Sequence, residues 1–344
     1  CDETAASIIT ENQQGIPIIL SNIVSSQVEV HKEYGGVVPE LAARSHIEKI
    51  DLITKKAIEE SKIRLDDIDA IATTAGPGLI VCLSVGLSFG KTLASALNKP
   101  FIAVNHLEGH ALSPKLNSKI NYPYLLLLIS GGHTQFLSVE GLGKYKRLGT
   151  TIDDAVGEAF DKTAKMLGIE FPGGPKIEEY AKKGDPNKYL LPKPIFYKGG
   201  CNLSFAGLKT AVLRTSKQLK NQKEKYNLAA SFQKTVNEIL YEKTKIAMED
   251  FLKNKKNIQK TFVIAGGVAA NLKIRENLTK LAKEKKFSSI FPPTNLCSDN
   301  AAMIAWAGIE RYKLKLIDNL EFPSKARWPL DDSAPFLKGP GLKL

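Results

Sequence analysis

Cysteine, arginine and long apolar runs are scarce in this sequence. Its four cysteines lie far apart and form no CxxC pair, which argues against a disulfide scaffold and a four-thiolate zinc site. We therefore expect a reducing compartment. The longest purely apolar run covers residues 301–307, far short of the ~20 residues that cross a bilayer. No basic-then-apolar leader precedes Asp2, so we also expect no secretory signal.

The composition is that of a globular protein. Apolar residues make up 43% and charged residues 24% of the 344 residues, which argues against disordered and fibrous classes. This length allows two domains of ordinary size.

Positive charge is concentrated in one part of the chain. Residues 1–100 carry a net charge of −4 and residues 201–300 a net charge of +11, within a total of +12. Such a concentration is typical of a protein that binds a polyanion. Only 7 of the 48 basic residues are arginine, so a solvated lysine-rich face is the alternative interpretation. The basic stretch includes Lys209, Lys217, Lys220, Lys223, Lys225, Lys253, Lys255, Lys256, Lys283, Lys285 and Lys286.

Strand-like runs alternate with helical periods along the chain. Strands are predicted over residues 16–24, 67–74, 100–105, 122–130, 134–139 and 261–265. Helices are predicted over residues 84–97, 152–167 and 225–252, and from about residue 270. This alternation predicts an α/β architecture with largely parallel sheets.

Glycine pairs follow predicted strands at three places, residues 76/78, 131/132 and 266/267. Glycine permits positive φ angles and close approach of a ligand, and a following helix directs its first N–H groups at an anion. A strand–glycine–helix arrangement in each half predicts a nucleotide between two similar lobes. Ordinary turn glycines are the alternative for any one pair.

Two partial matches to known motifs fail on spacing. Gly90-Lys91-Thr92 ends like a phosphate-binding loop, but the required first glycine falls on Val85. Residues 106–110 (HLEGH) resemble the zinc-protease HExxH, but the glutamate stands third rather than second, so a peptidase is disfavoured.

His106 and His110 are nevertheless spaced to face the same side of a helix, a common geometry for two ligands of one metal. Asp299 is the candidate third ligand. The alternatives are helix histidines bonded to backbone or solvent, and a helix N-cap at Asp299. Two imidazoles and one carboxylate leave coordination positions open and suit Fe²⁺ better than a closed structural zinc.

Several motifs occur in an order that resembles one enzyme family. They are residues 31–40 (HKEYGGVVPE), 106–110 (HLEGH), 130–134 (SGGHT), 153–162 (DDAVGEAFDK), 171–175 (FPGGP), 204–210 (SFAGLKT), 266–271 (GGVAAN) and 297–300 (CSDN). Together they are similar to the bacterial and organellar tRNA N6-adenosine threonylcarbamoyltransferase family. The resemblance covers almost the whole chain.

The resemblance implies an actin/hexokinase/heat-shock ATPase-like α/β fold, with two similar lobes and a nucleotide cleft between them. It implies an N-terminal lobe at residues 1–110 completed by residues 298–330, a C-terminal lobe at 111–297 and a surface tail at 331–344. Family members begin with a strand that is missing before Cys1 here, so we expect its neighbouring strands to be unpaired.

The resemblance also implies the site residues. His106, His110 and Asp299 match the family's metal ligands, whereas Asp2 and Glu3 match its acidic residues near the reaction centre. The positions that match its nucleotide- and substrate-binding residues are Leu128, Ile129, Ser130, Gly131, Gly132, Asp161, Gly174 and Asn271. Glu108 is expected to be a surface or hinge carboxylate.

The implied reaction transfers a threonylcarbamoyl group from L-threonylcarbamoyl-AMP to N6 of the adenosine just 3′ of the tRNA anticodon, and AMP leaves. One divalent metal per subunit is implied, with Fe²⁺ preferred over Zn²⁺ or Mg²⁺. A bacterial member implies cytoplasmic location, a paralogous partner subunit and a small ATPase. An organellar member implies a homodimer in the mitochondrial matrix. The alternative functions are a small-molecule phosphotransferase and a non-catalytic ATP-binding interaction module.

Overall fold

The computed structural model describes residues 2–335 apart from residues 254 and 256. The chain divides into two compact units, of which the first contains Cys1–Lys119 and Ser298–Asp332 and the second contains Ile120–Cys297 and Ser333–Leu344. The predicted boundary at residue 110 lies inside the helix His106–Leu112, and the first unit continues through the mostly buried turn Ser113–Leu116 to Lys119. Asp331, predicted in a surface tail, is buried, and residues 336–344 of that tail lie outside the described residues.

The first unit contains two small sheets. β1 (Glu3–Glu11) pairs antiparallel with β2 (Pro17–Ser26), and β3 (Ile71–Gly76) pairs parallel with β4 (Phe101–Asn105). Its helices are α1 (Val28–Lys32), α2 (Pro39–Ser61), α3 (Ile80–Ala96), α4 (His106–Leu112) and α10 (Ala301–Lys313). The β4 strand is fully buried, so the helix that follows it starts inside the unit.

A cavity of about 1020 Å³ lies between β1 and β3, with α2, α3 and α10 forming its other walls. The two strands belong to different sheets. Glu3, His106 and Asp299 all line this cavity.

The second unit is built on one five-stranded sheet with the order β7-β6-β5-β8-β9. Its strands are β5 (Tyr124–Ile129), β6 (Thr134–Gly141), β7 (Lys144–Thr150), β8 (Thr261–Ala265) and β9 (Ser288–Ile290). The pairs β5–β6 and β6–β7 are antiparallel, whereas β5–β8 and β8–β9 are parallel. The prediction of largely parallel sheets is therefore correct for β3–β4, β5–β8 and β8–β9 and wrong for the other three pairs of the described strands. Short turns join β5, β6 and β7 directly, whereas parallel strands need long crossovers.

Five helices surround this sheet: α5 (Val156–Met166), α6 (Gly173–Ala181), α7 (Ala206–Ser216), α8 (Gln222–Leu252) and α9 (Leu272–Glu284). Asn221 caps the start of α8, because its Oδ1 accepts the N–H of Glu224 at 3.0 Å. In return, the Glu224 carboxylate accepts the N–H of Lys220 at 2.6 Å. Phe232 and Val236 of α8 pack in the same core as the β5 side chains. Although α8 has 31 residues, neither it nor any other helix of the described chain is long and apolar enough to cross a membrane.

Candidate functional site

The histidine pair is positioned by the junction of β4 and α4. The Asn105 side chain ends the strand and caps the helix by accepting the N–H of Leu107 at 2.9 Å. His106 and His110 follow one turn apart, with ring centroids separated by 4.7 Å. His110 is buried and His106 is partly exposed.

Asp299 meets both rings from the start of α10. The Asn300 side chain caps that helix through the N–H of Met303, so Asp299 is the ligand candidate and its neighbour is the N-cap. The Asp299 Oδ1 atom lies 3.1 Å from His110 Nε2 and 3.5 Å from His106 Nε2. The structure thus brings together the three predicted metal ligands within the first unit.

This donor set fits a divalent metal. One ligand atom of each residue lies within 4.8 Å of the others. Ligands about 2.1 Å from one metal lie about 3.0–3.4 Å apart at octahedral or tetrahedral angles, close to the two distances from Asp299. Burial lowers the pKa of His110, although the hydrogen bond with Asp299 opposes this effect, and a lowered pKa favours the neutral ring that a metal ligand requires. Burial raises the pKa of Asp299, but the two imidazoles outweigh it and hold that pKa well below its usual range.

Glu108 lies between the two histidines in sequence but on another face of α4. It is 2% exposed, and its Oε1 accepts from Arg311 Nη1 of α10 at 2.8 Å. The expectation of a surface or hinge carboxylate is therefore wrong. Gly109 lets α4 pack closely against α10, because a Cβ at this position would lie 2.8 Å from Ile304 Cδ1. Sequence reasoning missed this ion pair because its partners are 203 positions apart.

One of the two acidic residues at the start of the described chain, Glu3, lies near the triad. Glu3 begins β1, and burial raises its pKa to about 8, with further contributions from the nearby Asp299 and Asp2 carboxylates. The Asp2 carbonyl oxygen accepts the N–H of Gln27 at 2.8 Å. A cation bound by the triad would lower the Glu3 pKa, because it would compensate the surrounding negative charge.

The second unit contains a glycine-lined surface at the end of β5. Leu128 and Ile129 are buried strand residues, and Ser130 accepts the N–H of His133 on its side chain at 3.1 Å. A Cβ at Gly131 or Gly132 would meet no atom within 4 Å, so the backbone there borders open space. Such a turn suits an anion.

Two other glycines allow backbone segments to approach this turn. A Cβ at Gly157 of α5 would lie 2.6 Å from the Ser130 carbonyl oxygen, and one at Gly266 would lie 2.4 Å from that of Ile129. Gly266 has a φ of 97°, a backbone conformation that residues other than glycine rarely adopt. The predicted strand–glycine pairs at residues 131/132 and 266/267 therefore meet at one surface.

The remaining predicted substrate contacts belong to the second unit. Asp161 of α5 accepts the N–H of Gly173 on Oδ1 at 2.9 Å, and the next glycine, Gly174, faces open space. Asn271 caps α9 through the N–H of Ile274, and its Nδ2 donates to Gln233 Oε1 at 3.0 Å. Gln233 was not predicted, because nothing in the sequence marks which face of α8 it occupies.

Ion pairs neutralise part of the basic stretch. Lys209 lies 2.5 Å from Asp154, Lys253 lies 2.5 Å from Asp250 and Lys255 lies 2.6 Å from Glu140. Lys285 pairs with Glu249, and Lys256 lies outside the described residues. No ion pair to another described residue forms at Lys217, Lys220, Lys223, Lys225, Lys283 or Lys286.

Comparisons with known proteins agree with one another. A family model described as tRNA N6-adenosine threonylcarbamoyltransferase matches residues 18–306. The protein of that name from Pelagibacter ubique (strain HTCC1062) is 76% identical over 344 residues, which are 100% of this chain and 96% of the relative. The protein of the same name from Rickettsia massiliae (strain Mtu5) is 56% identical over 335 residues, which are 96% of each chain.

Solved structures show a likeness of fold. HypF from T. kodakarensis matches 80% of this chain with a TM-score of 0.57 and 14% identity, and the match covers 45% of HypF. Full-length HypF in its phosphate- and nucleotide-bound form matches 80% of this chain with a TM-score of 0.53 and 14% identity, covering 42% of that chain. This chain thus spans less than half the length of either HypF chain.

Proposed function

Since this chain belongs to the tRNA N6-adenosine threonylcarbamoyltransferase family, we propose that it transfers a threonylcarbamoyl group from L-threonylcarbamoyl-AMP to tRNA. The acceptor is N6 of the adenosine just 3′ of the anticodon, in tRNAs that read codons beginning with A, and AMP leaves. The observation that carries this proposal is the 76% identity over the whole chain to a protein of that name. Family membership also confirms the α/β fold of the actin, hexokinase and heat-shock ATPase type.

The second unit supplies the surface for the adenylate. The backbone N–H groups of Gly131 and Gly132 bind its phosphate, at the point where glycine leaves room for a ligand, and Ser130 holds the turn by donating its own N–H to the His133 carbonyl oxygen at 2.8 Å. Asp161, Gly174 and Asn271 contact the rest of the nucleotide. The short distances from Gly157 and Gly266 to the end of β5 support this assignment, because larger side chains there would displace the turn.

His106, His110 and Asp299 hold one divalent metal, and Fe²⁺ is the ion we propose. Two imidazoles and one carboxylate are typical of non-haem iron and leave positions open for oxygen ligands. When bound, the metal supplies Lewis-acid stabilisation of negative charge on phosphate or carbonyl oxygen. The buried neutral ring of His110 and the ionised Asp299 support this role.

Positioning and charge stabilisation must account for most of the rate enhancement. An exocyclic adenine amine is a weak nucleophile because its lone pair is delocalised into the ring, so the two reactants must be held in contact. We assign Glu3 or Asp2 to accept the proton that N6 loses. The place of Glu3 in the same cavity as His106 and Asp299, with Asp2 next to it in the chain, supports the assignment.

Partner proteins belong to the proposal. The bacterial relatives favour a complex with a paralogous subunit and a small ATPase over an organellar homodimer, and hence a cytoplasmic location. A small-molecule phosphotransferase and a non-catalytic ATP-binding module give no role to the converged histidine pair and are not favoured.

Mass spectrometry of tRNA nucleosides tests the proposed reaction. The purified protein is incubated with L-threonylcarbamoyl-AMP and unmodified tRNA, with and without the partner subunits. We expect threonylcarbamoyladenosine from the wild type and none from a His106→Ala/His110→Ala variant that retains its fold. Unmodified tRNA after incubation with the wild type and its partners would overturn the proposal.

A further inference from the structure

One segment of the second unit carries cationic side chains and no carboxylates. Residues 186–223 contain eight lysines and arginines but neither aspartate nor glutamate. A segment of 38 residues with one sign of charge is unusual in a chain with 24% charged residues. It therefore presents a local positive potential to any polyanion that approaches it.

The first part of this segment, residues 186–200, is irregular but held along α8. The residue just before it, Asp185, donates its N–H to Asn227 Oδ1 at 2.8 Å, and Tyr189 donates its N–H to Ser231 Oγ at 3.2 Å. Two turns further along α8, Lys193 pairs with Glu238 at 2.6 Å. These contacts run along about three turns of the same helix.

A buried lysine fixes the end of this loop. Lys243 of α8 is 0% exposed, and its Nζ donates to the carbonyl oxygens of Lys198 at 2.7 Å and Gly200 at 3.3 Å. The next residue, Cys201, is buried and its thiol contacts Asp250. The loop is thus held in one conformation before any partner binds, which lowers the entropic cost of binding.

The loop presents one aromatic ring to solvent. Ile195 has a φ of 47°, a left-handed conformation that is rare for a β-branched residue. The neighbouring Phe196 packs against the core, whereas Tyr197 is 94% exposed. A binding role for the Tyr197 ring would explain why the chain keeps this costly backbone conformation at Ile195.

We propose that Tyr197 stacks on an unpaired base of the tRNA substrate, while Lys188 and Lys198 bind adjacent phosphates. This inference rests on the proposed function, which supplies tRNA as the partner. Both lysines are exposed and form no ion pair within the described part of the chain. An exposed ring in one loop with two exposed lysines that pair with no described carboxylate is a combination that binds single-stranded nucleic acid.

Equilibrium binding of unmodified tRNA tests the stacking role of Tyr197. Affinity is measured by fluorescence anisotropy for the wild type, Tyr197→Ala and Tyr197→Phe. We expect about tenfold weaker binding for Tyr197→Ala, and affinity within twofold of the wild type for Tyr197→Phe, which keeps the ring. A 2-aminopurine in the anticodon loop should be quenched by the wild type and not by Tyr197→Ala.

The salt dependence of binding tests the two lysines. For Lys188→Gln/Lys198→Gln we expect the slope of log affinity against log salt to become shallower by about 1.4, because two phosphate contacts are lost. The matched control is Lys55→Gln/Lys56→Gln, which removes two exposed lysines of the first unit. The control should keep the wild-type slope.

Wild-type affinity in Tyr197→Ala, or a wild-type slope in Lys188→Gln/Lys198→Gln, would overturn the inference and indicate that the loop contacts a protein instead. Turnover distinguishes this failure from failure of the proposed function. If Tyr197 acts in binding alone, Tyr197→Ala raises KM for tRNA and leaves kcat unchanged. A wild type that binds tRNA in this way but never modifies it would refute the proposed reaction and leave the binding surface intact.

Discussion

The buried ion pair between Glu108 and Arg311 should hold the two helices that carry the metal ligands. Glu108 lies on α4 with both histidines, and Arg311 lies on α10, which begins just after Asp299. We therefore predict that Glu108→Gln both destabilises the first unit and weakens metal binding, although Glu108 is not itself a ligand.

The expected loss in the free energy of unfolding follows from the burial of this ion pair. The side chains of Glu108 and Arg311 are 2% and 17% exposed, and their charged atoms lie 2.8 Å apart. Removing one partner of a buried pair costs about 3–5 kcal/mol, because the other charge stays buried and uncompensated. Arg311 retains some access to water, so we expect a loss of about 3 kcal/mol in the free energy of unfolding.

Urea unfolding of the metal-free protein measures this loss, and metal titration measures the affinity. The matched control is Glu40→Gln, which breaks an ion pair with Arg44 that has the same 2.8 Å separation but side chains 71% and 76% exposed. That control should cost less than about 1 kcal/mol. The double variant Glu108→Gln/Arg311→Met should lose less than the sum of the single variants. Equal stability losses for Glu108→Gln and Glu40→Gln, with unchanged metal affinity, would show that the Glu108–Arg311 ion pair does not hold α4 and α10 together.

Two further predictions concern the glycine-lined surface and pH. Gly157→Ala should destabilise the second unit by about 1–3 kcal/mol and weaken adenylate binding, because the added Cβ would lie 2.6 Å from the Ser130 carbonyl oxygen. The control is Gly86→Ala, whose added Cβ would meet no atom within 4 Å. Equal stability of the two variants in urea unfolding would contradict this prediction. Burial lowers the pKa of His46 from 6.5 to about 4, so the unfolded chain binds a proton that the folded chain does not between these values. Stability should therefore fall as pH is lowered from about 6.5 to about 4, and His46→Gln should show a shallower decline in Tm over that window if the assignment is right.

Local patterns allowed much of the fold to be predicted. The apolar run at residues 122–130 became β5 (Tyr124–Ile129), and the helical period at residues 225–252 became α8 (Gln222–Leu252). The alternation of strands and helices along the chain indicated parallel pairing, although only three residues separate the predicted strands 122–130 and 134–139, and β7 (Lys144–Thr150) was not predicted as a strand. Parallel sheets were therefore predicted where three strands form an antiparallel set.

The metal ligands were predicted because two of them are close in sequence. His106 and His110 lie four residues apart on one helix, whereas Asp299 was a candidate because of its place at the start of a predicted helix and was then matched by the family resemblance. Glu108 and Gln233 were not identified, because their roles depend on partners from distant segments. Only the fold brings Arg311 to Glu108 and Asn271 to Gln233.

Calorimetric titration of the metal-free protein with Fe²⁺ under anaerobic conditions measures directly whether the three residues form one metal site. We expect one site per chain in the wild type and a large loss of affinity in Asp299→Asn, which removes the charged ligand while keeping the shape of the side chain. Wild-type affinity and stoichiometry in Asp299→Asn would contradict the claim that His106, His110 and Asp299 bind the metal together.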